Sequence, residues 1–102
     1  MAAYVIAELD ITNETAYDEY RRRVTPTVVQ YGGKYIVRGG RVESLENGWP
    51  PIRVAILEFP DVEHARRWYH SPEYAPLIEL RQRACSSRLT LLEGVSSLAL
   101  RE

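Results

Sequence analysis

The sequence predicts an α+β fold built on one four-stranded antiparallel sheet, and two observations predict it. The apolar period changes along the chain in the order β-α-β-β-α-β, with the second helical segment broken in two. Two predicted strands, Tyr4 to Ile11 and Ile52 to Phe59, are the most apolar, as central strands are. Two right-handed crossovers in that order produce a ferredoxin-like sheet, with the first and third strands central and the helices on one face.

The first half of the chain is expected to add a long helix and a short strand to the first strand. Asn13 is the predicted N-cap of the helix, because its side-chain oxygen can accept a free backbone N–H. Pro26 lies inside the helical pattern, so we expect a kink or a break between Val24 and Val28. The polar strand Lys34 to Arg38 suits a sheet edge, and Asn47-Gly48 predicts a turn in a long hairpin.

The second half is expected to contain two short helices and the last strand. Asp61 is the predicted N-cap of the first of these helices, which ends before Ser71-Pro72. The other begins near Pro76, because proline is favoured at the first position of a helix. Arg88 to Glu93 is the predicted last strand, and the tail from Gly94 to Glu102 is expected to dock on the domain.

Composition narrows the classes of partner. A chain of 102 residues fits one domain, from residue 1 to residue 102. A net charge of -1, with acidic and basic residues interspersed, argues against nucleic acid or an anionic membrane as a partner. No apolar run approaches the ~20 residues that span a bilayer, so a cytoplasmic protein is expected. One cysteine and two histidines form no metal-ligand pattern, and we expect neither a metal nor a cofactor.

Three runs of sequence resemble an uncharacterised family, the domain of unknown function 1330. They are YGGKYIVRGG (Tyr31 to Gly40), the run from Ile56 to Gln82 with EFP and W-x-x-S-P-E-Y, and LLEGV (Leu91 to Val95). The resemblance implies a ferredoxin-like fold of the dimeric α/β-barrel kind, in which two sheets pack face to face. It implies no established reaction. The wider group includes cofactor-free monooxygenases, lactone isomerases and haem-handling enzymes, so the analogy extends only to small organic ligands.

The apolar pattern also predicts a homodimer. The first strand offers Tyr4 and Ile6, and the third strand offers Ile52, Val54 and Ile56, to the face that the helices leave open. A contiguous apolar patch of more than a few hundred Å² is rare on a monomer. Two such sheets can cover each other about a two-fold axis.

Two charged residues are candidates for a site. Arg38 precedes Gly39-Gly40, where a guanidinium could bind a carboxylate bidentately, although an ion pair with Glu58 or Glu93 is the structural alternative. Glu58 lies on an otherwise apolar row and could act as a general base. A purely structural ion pair is the favoured interpretation of Glu58.

The corner after the second helix supplies further candidates. His70 could act as an acid or base, and Ser71 could bind substrate, although it reads more simply as a capping residue. Aromatic residues at helical spacing either line a ligand pocket or form core. They are Tyr17, Tyr20, Trp68 and Tyr74. We expect the pocket between the sheet and the first helix, near this corner.

Two functions follow from these candidates. The first is a cofactor-independent enzyme, isomerase-like or monooxygenase-like, that acts on a small organic acid or enol. Arg38 would be its anion clamp, and Glu58 or His70 its acid or base. The alternative is a non-catalytic homodimer that binds a small molecule or serves as a scaffold. Two titratable groups within reach of one bound atom favour the enzyme, and a wholly apolar pocket favours the binding protein.

Overall fold

The structure, a computed structural model, describes residues 1–48 and 52–95. Four strands and three helices follow one another along this part of the chain. They are β1 (Ala3–Ile11), α1 (Glu14–Gln30), β2 (Lys34–Arg38), β3 (Arg53–Phe59), α2 (Val62–Tyr69), α3 (Ala75–Ala84) and β4 (Cys85–Glu93). The tail beyond Val95 and the prolines before β3 lie outside the described residues, as does any docking of that tail.

The strands form one antiparallel sheet in the order β2-β3-β1-β4. The predicted ferredoxin-like fold is therefore confirmed, with β1 and β3 central and β2 at an edge. Ala7 of β1 pairs with Ala55 of β3 on one side and with Leu89 of β4 on the other. These pairs fix which residues share a face, because successive side chains of a strand point to opposite faces.

The helices cover one face of this sheet. Val5, Ala7 and Leu9 of β1 are buried in a core shared with α1, α2 and α3. The alternate residues Tyr4 and Ile6 are only half-buried and lie on the other face, called the open face below. The apolar alternation of β1 therefore reports the burial of each face correctly.

The helix ends follow the predicted capping. Asn13 Oδ1 accepts a hydrogen bond from the Ala16 N–H at 3.0 Å, and Asp61 Oδ1 accepts one from the His64 N–H at 2.8 Å. Each side chain satisfies a backbone donor that the first turn leaves free. Within the described residues, no helix combines the length and the apolar character needed to cross a membrane.

The predicted break at Pro26 is wrong, because α1 runs through it as one helix. Val24 and Val28 are both buried in the core, so packing holds the helix on either side of the proline. Two side chains also donate hydrogen bonds to a backbone carbonyl in the preceding turn of α1. Arg38 Nη2 and Thr25 Oγ1 both donate to the Arg21 carbonyl, at 3.2 and 3.4 Å. Proline still removes the hydrogen bond that the Arg22 carbonyl would accept, and the buried packing on both sides of Pro26 offsets that loss.

The last strand begins three residues earlier than predicted. β4 starts at Cys85, which pairs with Ile11, and it follows α3 directly. The polar residues Ser86 and Ser87 concealed this start, although both lie in register with β1, opposite Asp10 and Leu9. The turn predicted at Asn47-Gly48 contains two residues with positive φ, 60° and 38°.

Candidate functional site

A buried polar cluster lies between the helices and the covered face of the sheet. We call it the tyrosine-arginine cluster, and its members are Tyr17 and Tyr20 of α1, Tyr35 of β2, Tyr74 before α3, and Arg81 of α3. Tyr17 and Tyr20 share a helix face because they are three residues apart. Arg81 is only 5% exposed, and Tyr74 is fully buried. A buried guanidinium among phenols is uncommon, since charge is costly to desolvate.

Hydroxyl groups are the hydrogen-bond partners of this guanidinium. Arg81 Nη1 donates to Tyr74 Oη at 2.6 Å, and Arg81 Nε donates to Ser87 Oγ at 3.1 Å. Tyr74 Oη in turn lies 2.8 Å from Tyr20 Oη. No carboxylate of the described residues lies within 4 Å of Arg81. Its charge is therefore solvated by neutral hydroxyl groups, without a neutralising carboxylate at hand.

The phenol pair leaves one hydroxyl proton unused. Tyr20 and Tyr74 carry one O–H donor each, and the bond between them uses one of the two. Arg81 can only donate to Tyr74, so it does not accept the other proton. Whichever phenol donates to its partner, the second O–H has no acceptor in the part of the chain that the structure describes. This donor lies beside the guanidinium.

The phenols of the cluster stay neutral at physiological pH. Burial raises the pKa of Tyr20 well above its usual range, and the neighbouring Tyr74 raises it further. Burial also raises the pKa of Tyr74, of Tyr17 and of Tyr35, although arginines oppose the shift. Burial alone would lower the pKa of Arg81, but its interactions and hydrogen bonds with Tyr74 and Tyr20 together raise it. The cluster is thus one cation among neutral donors.

Two more guanidinium groups stand beside the cluster on the covered face. Arg38 lies 4.6 Å from the centre of the Tyr35 ring, and Arg53 lies 5.4 Å from the centre of the Tyr17 ring. Glu14 approaches Arg53 at 3.8 Å. These cations favour the approach of an anion. Within residues 1–48 and 52–95, no three His, Cys, Asp or Glu side chains come together to hold a metal ion.

The structure places Arg38 and Glu58 on opposite faces of the sheet. Arg38 pairs with Ala55 and so projects to the covered face, where it donates to Arg21 O and to Thr25 Oγ1. Glu58 lies on the open face, with Lys34 Nζ 3.5 Å away. The ion pair weighed between Arg38 and Glu58 is therefore not formed. Their roles in binding and catalysis stay predictions, but one protomer does not bring both to the same side of the sheet.

The corner residues hold the aromatic groups in place. Ser71 Oγ donates to the Trp68 carbonyl at 2.7 Å and accepts from the Tyr74 N–H at 3.1 Å, as a capping residue does. Trp68 stacks on Tyr74 with ring centres 4.2 Å apart. His70 is exposed at the end of α2, with its ring edge against Tyr69. Trp68 and Ser71 thus position Tyr74, while His70 lies outside the cluster.

Sequence reasoning missed Arg81 and Tyr35. Arg81 lies on the inward face of α3, together with Leu77, Leu80 and Ala84. A charged residue on such an apolar face indicates a buried charge, which the sequence pattern could have revealed. The role of Arg81 depends on its hydroxyl partners Tyr74 and Ser87, which only the tertiary structure brings close to it.

Solved structures share this fold. A protein of unknown function from Rhodopseudomonas palustris has a TM-score of 0.77 at 24% identity, over 93% of this chain and 83% of that one. SnoaB, a cofactor-independent oxygenase from Streptomyces nogalater, has a TM-score of 0.68 at 12% identity, over 95% and 96%. A dimeric ferredoxin-like protein of unknown function from Jannaschia sp. CCS1 has a TM-score of 0.68 at 14% identity, over 92% and 100%.

At these identities the likeness shows the fold alone. No curated protein matches the chain. The model of the family described as a domain of unknown function (DUF1330) matches residues 2–95, nearly the whole chain. The chain therefore belongs to the DUF1330 family.

Proposed function

We propose that the tyrosine-arginine cluster binds a small organic ligand with an acidic enol or phenol and stabilises it as its anion. The observation that carries this proposal is the buried guanidinium of Arg81, bonded to hydroxyl groups and without a carboxylate within 4 Å in the described residues. The unused phenol proton of the Tyr20 and Tyr74 pair adds a second donor.

The chemistry follows from charge and burial. A neighbouring cation lowers the pKa of an acid, and the effect is stronger where protein excludes water. Hydrogen-bond donors already in place at a developing oxyanion need no reorganisation during reaction. Arg81 and one phenol would supply such donors to one oxygen. The bound enol would thus be held as the enolate.

The neutral state of the phenols limits the substrate class. Tyr17, Tyr20, Tyr35 and Tyr74 have raised pKa values, and burial also raises the pKa of the Cys85 thiol nearby. None of these groups is a base near neutral pH, so the ligand must be acidic enough to lose its proton to water. We therefore favour 1,3-dicarbonyl compounds and hydroxylated aromatic ketones.

An enolate held in this way has two simple outcomes. It can take up a proton at carbon, which completes an isomerisation, or it can react with dioxygen without a cofactor. The fold likeness to SnoaB, a cofactor-independent oxygenase, supports the second outcome as a chemistry for which this fold is suited.

We also propose that the protein is a homodimer joined through the open faces of two sheets. Tyr4, Ile6, Val54 and Ile56 are half-buried there and form an apolar patch. The dimeric state of the Jannaschia protein supports the proposal. The cluster lies on the covered face and is left intact by this association.

Binding without turnover is a second candidate function, and one observation favours it. The cluster contains no histidine or carboxylate that could move a proton near neutral pH, whereas an enzyme commonly has one. The two candidates share a ligand class and differ only in whether a product forms.

Calorimetric titration tests the proposal with 1,3-cyclohexanedione, an acidic enol, and cyclohexanone, a weakly enolised analogue. Arg81→Met removes the buried cation, and Arg83→Met on the exposed side of the same helix is the matched control. We expect the dione to bind, the ketone to bind weakly or not at all, and Arg81→Met to lose at least tenfold in affinity. Equal affinity of wild type and Arg81→Met would contradict the proposal. Oxygen uptake and product analysis then separate turnover from binding.

A further inference from the structure

A cavity lies between α2 and β4, outside the tyrosine-arginine cluster. Its volume is about 360 Å³. Val5, Leu89 and Leu91 supply an apolar lining from the sheet, and Tyr69, Arg66 and His70 supply the lining from α2 and its end. Arg66 and His70 are exposed, so the basic groups stand where the cavity meets water.

This cavity shares no lining residue with the tyrosine-arginine cluster, although the ring centre of Tyr69 lies 5.9 Å from that of Tyr74. Its strand residues Val5 and Leu91 form a register pair, whereas Ser87, the partner of Arg81, pairs with Leu9. Four residues along a strand correspond to about 13 Å. Both sites lie on the covered face, so a dimer formed through the open face leaves the cavity accessible.

The charges at the cavity are unbalanced. Arg66 has no carboxylate within 4 Å among the described residues, whereas Arg67, next to it, has Glu63 at 3.6 Å. Among the residues that the structure describes, no acidic side chain lines the cavity. Asp61, Glu63 and Glu93 line the neighbouring cavity together with Arg66, so their carboxylates compete with a ligand for this guanidinium. The pairing of an apolar lining with a guanidinium and an imidazole is complementary to an amphipathic anion.

We propose that this cavity binds a small amphipathic carboxylate, with its apolar body on Leu89 and Leu91 and its ring or chain against Tyr69. The carboxylate would accept two hydrogen bonds from the Arg66 guanidinium, which matches its geometry, and a further one from His70. The volume suits an aryl or short acyl carboxylate, at the lower end of small-molecule sites. This proposal is independent of the function proposed above, because it uses none of the cluster residues.

NMR titration of the ¹⁵N-labelled protein with 4-phenylbutanoate tests the proposal, with 4-phenylbutanamide as the uncharged control. We expect shift changes centred on residues 65–70 and 89–91, and weaker binding of the amide. Arg66→Gln should weaken carboxylate binding by about tenfold or more, the effect of losing a charge-assisted hydrogen bond. Arg67→Gln, on the same helix but outside the cavity, should leave the affinity unchanged.

Three outcomes would overturn the proposal. One is the absence of saturable shifts, and another is equal binding of the acid and the amide, which would reduce the site to an apolar patch. The third is shift changes at Tyr20, Tyr74 and Arg81 instead, which would assign the carboxylate to the cluster. That last result would leave the function proposed for the cluster standing.

Discussion

Replacing Arg81 by methionine distinguishes two roles for this residue, binding an anionic ligand and stabilising the fold. Methionine has a similar unbranched shape and no charge, so it fills the space left by the guanidinium stem. If Arg81 exists to bind an anion, the protein without ligand should lose little stability. If Arg81 exists to tie α3 to its surroundings, the same change should be costly.

The magnitude follows from two opposing contributions. Arg81 makes hydrogen bonds to Tyr74 and Ser87, and bonds to charged groups are worth roughly 1.5 to 3 kcal/mol each. Taking the guanidinium out of water costs several kcal/mol, which methionine avoids. Its partners are neutral hydroxyls, so the substitution strands no buried charge. We therefore expect the free energy of unfolding to change by less than about 1.5 kcal/mol in either direction.

Urea unfolding at neutral pH measures this difference, with Arg83→Met as the exposed control. Protein concentration must be equal throughout, because a dimer gains apparent stability with concentration. A loss above about 3 kcal/mol in Arg81→Met, with no change in the slope of the transition, would refute the functional assignment. It would show that the hydroxyl partners need the guanidinium for the fold itself.

Three further outcomes are expected. Ile6→Glu puts a carboxylate on the open face and should convert a dimer to a monomer in sedimentation velocity; a dimer that persists would contradict pairing through this face. Gly33→Ala should lose roughly 1 to 3 kcal/mol in urea unfolding, because the new Cβ would lie 2.6 Å from Phe59 Cε1. Gly40→Ala is its control, because no atom of the described part of the chain lies within 4 Å of the new Cβ, and equal effects would refute the packing argument. The hydrogen bond with the His64 side chain is the main cause that lowers the pKa of Asp61. The ionised Asp61 therefore stabilises the folded protein above about pH 4, and this stabilisation is lost as the pH falls further. Thermal melting from about pH 5 to pH 2 should therefore show a larger loss in wild type than in Asp61→Asn, and equal losses would count against this linkage.

The fold was predictable because buried and exposed positions recur regularly along the central strands and the helices, and the sequence shows this regularity. In β1 the alternation of apolar residues matches the alternation of buried and half-buried side chains. Asn13 and Asp61 act on backbone groups only three residues away, so their role as caps is local. The break predicted at Pro26 is wrong because buried contacts on both sides of it keep α1 continuous.

The site was predictable only in part, because small irregularities and distant partners decide it. A bulge between Tyr35 and Val37 adds one residue to β2, and this turns Arg38 from the face of Glu58 to the covered face. Regular alternation of side chains from Lys34 would instead place Arg38 on the open face. The aromatic residues were identified as core or pocket, whereas Arg81 needed its long-range hydroxyl partners before its position had a meaning.

The ionisation of a bound phenol tests the role of the cluster most directly. 4-Nitrophenol absorbs differently as phenol and as phenolate, so its pKa can be read from absorbance with and without saturating protein. Beside a buried cation, the pKa of the bound phenol should fall below that of the free compound. Arg83→Met should keep this shift and Arg81→Met should abolish it. A pKa that is unchanged or raised on binding to wild type would contradict anion stabilisation by the tyrosine-arginine cluster.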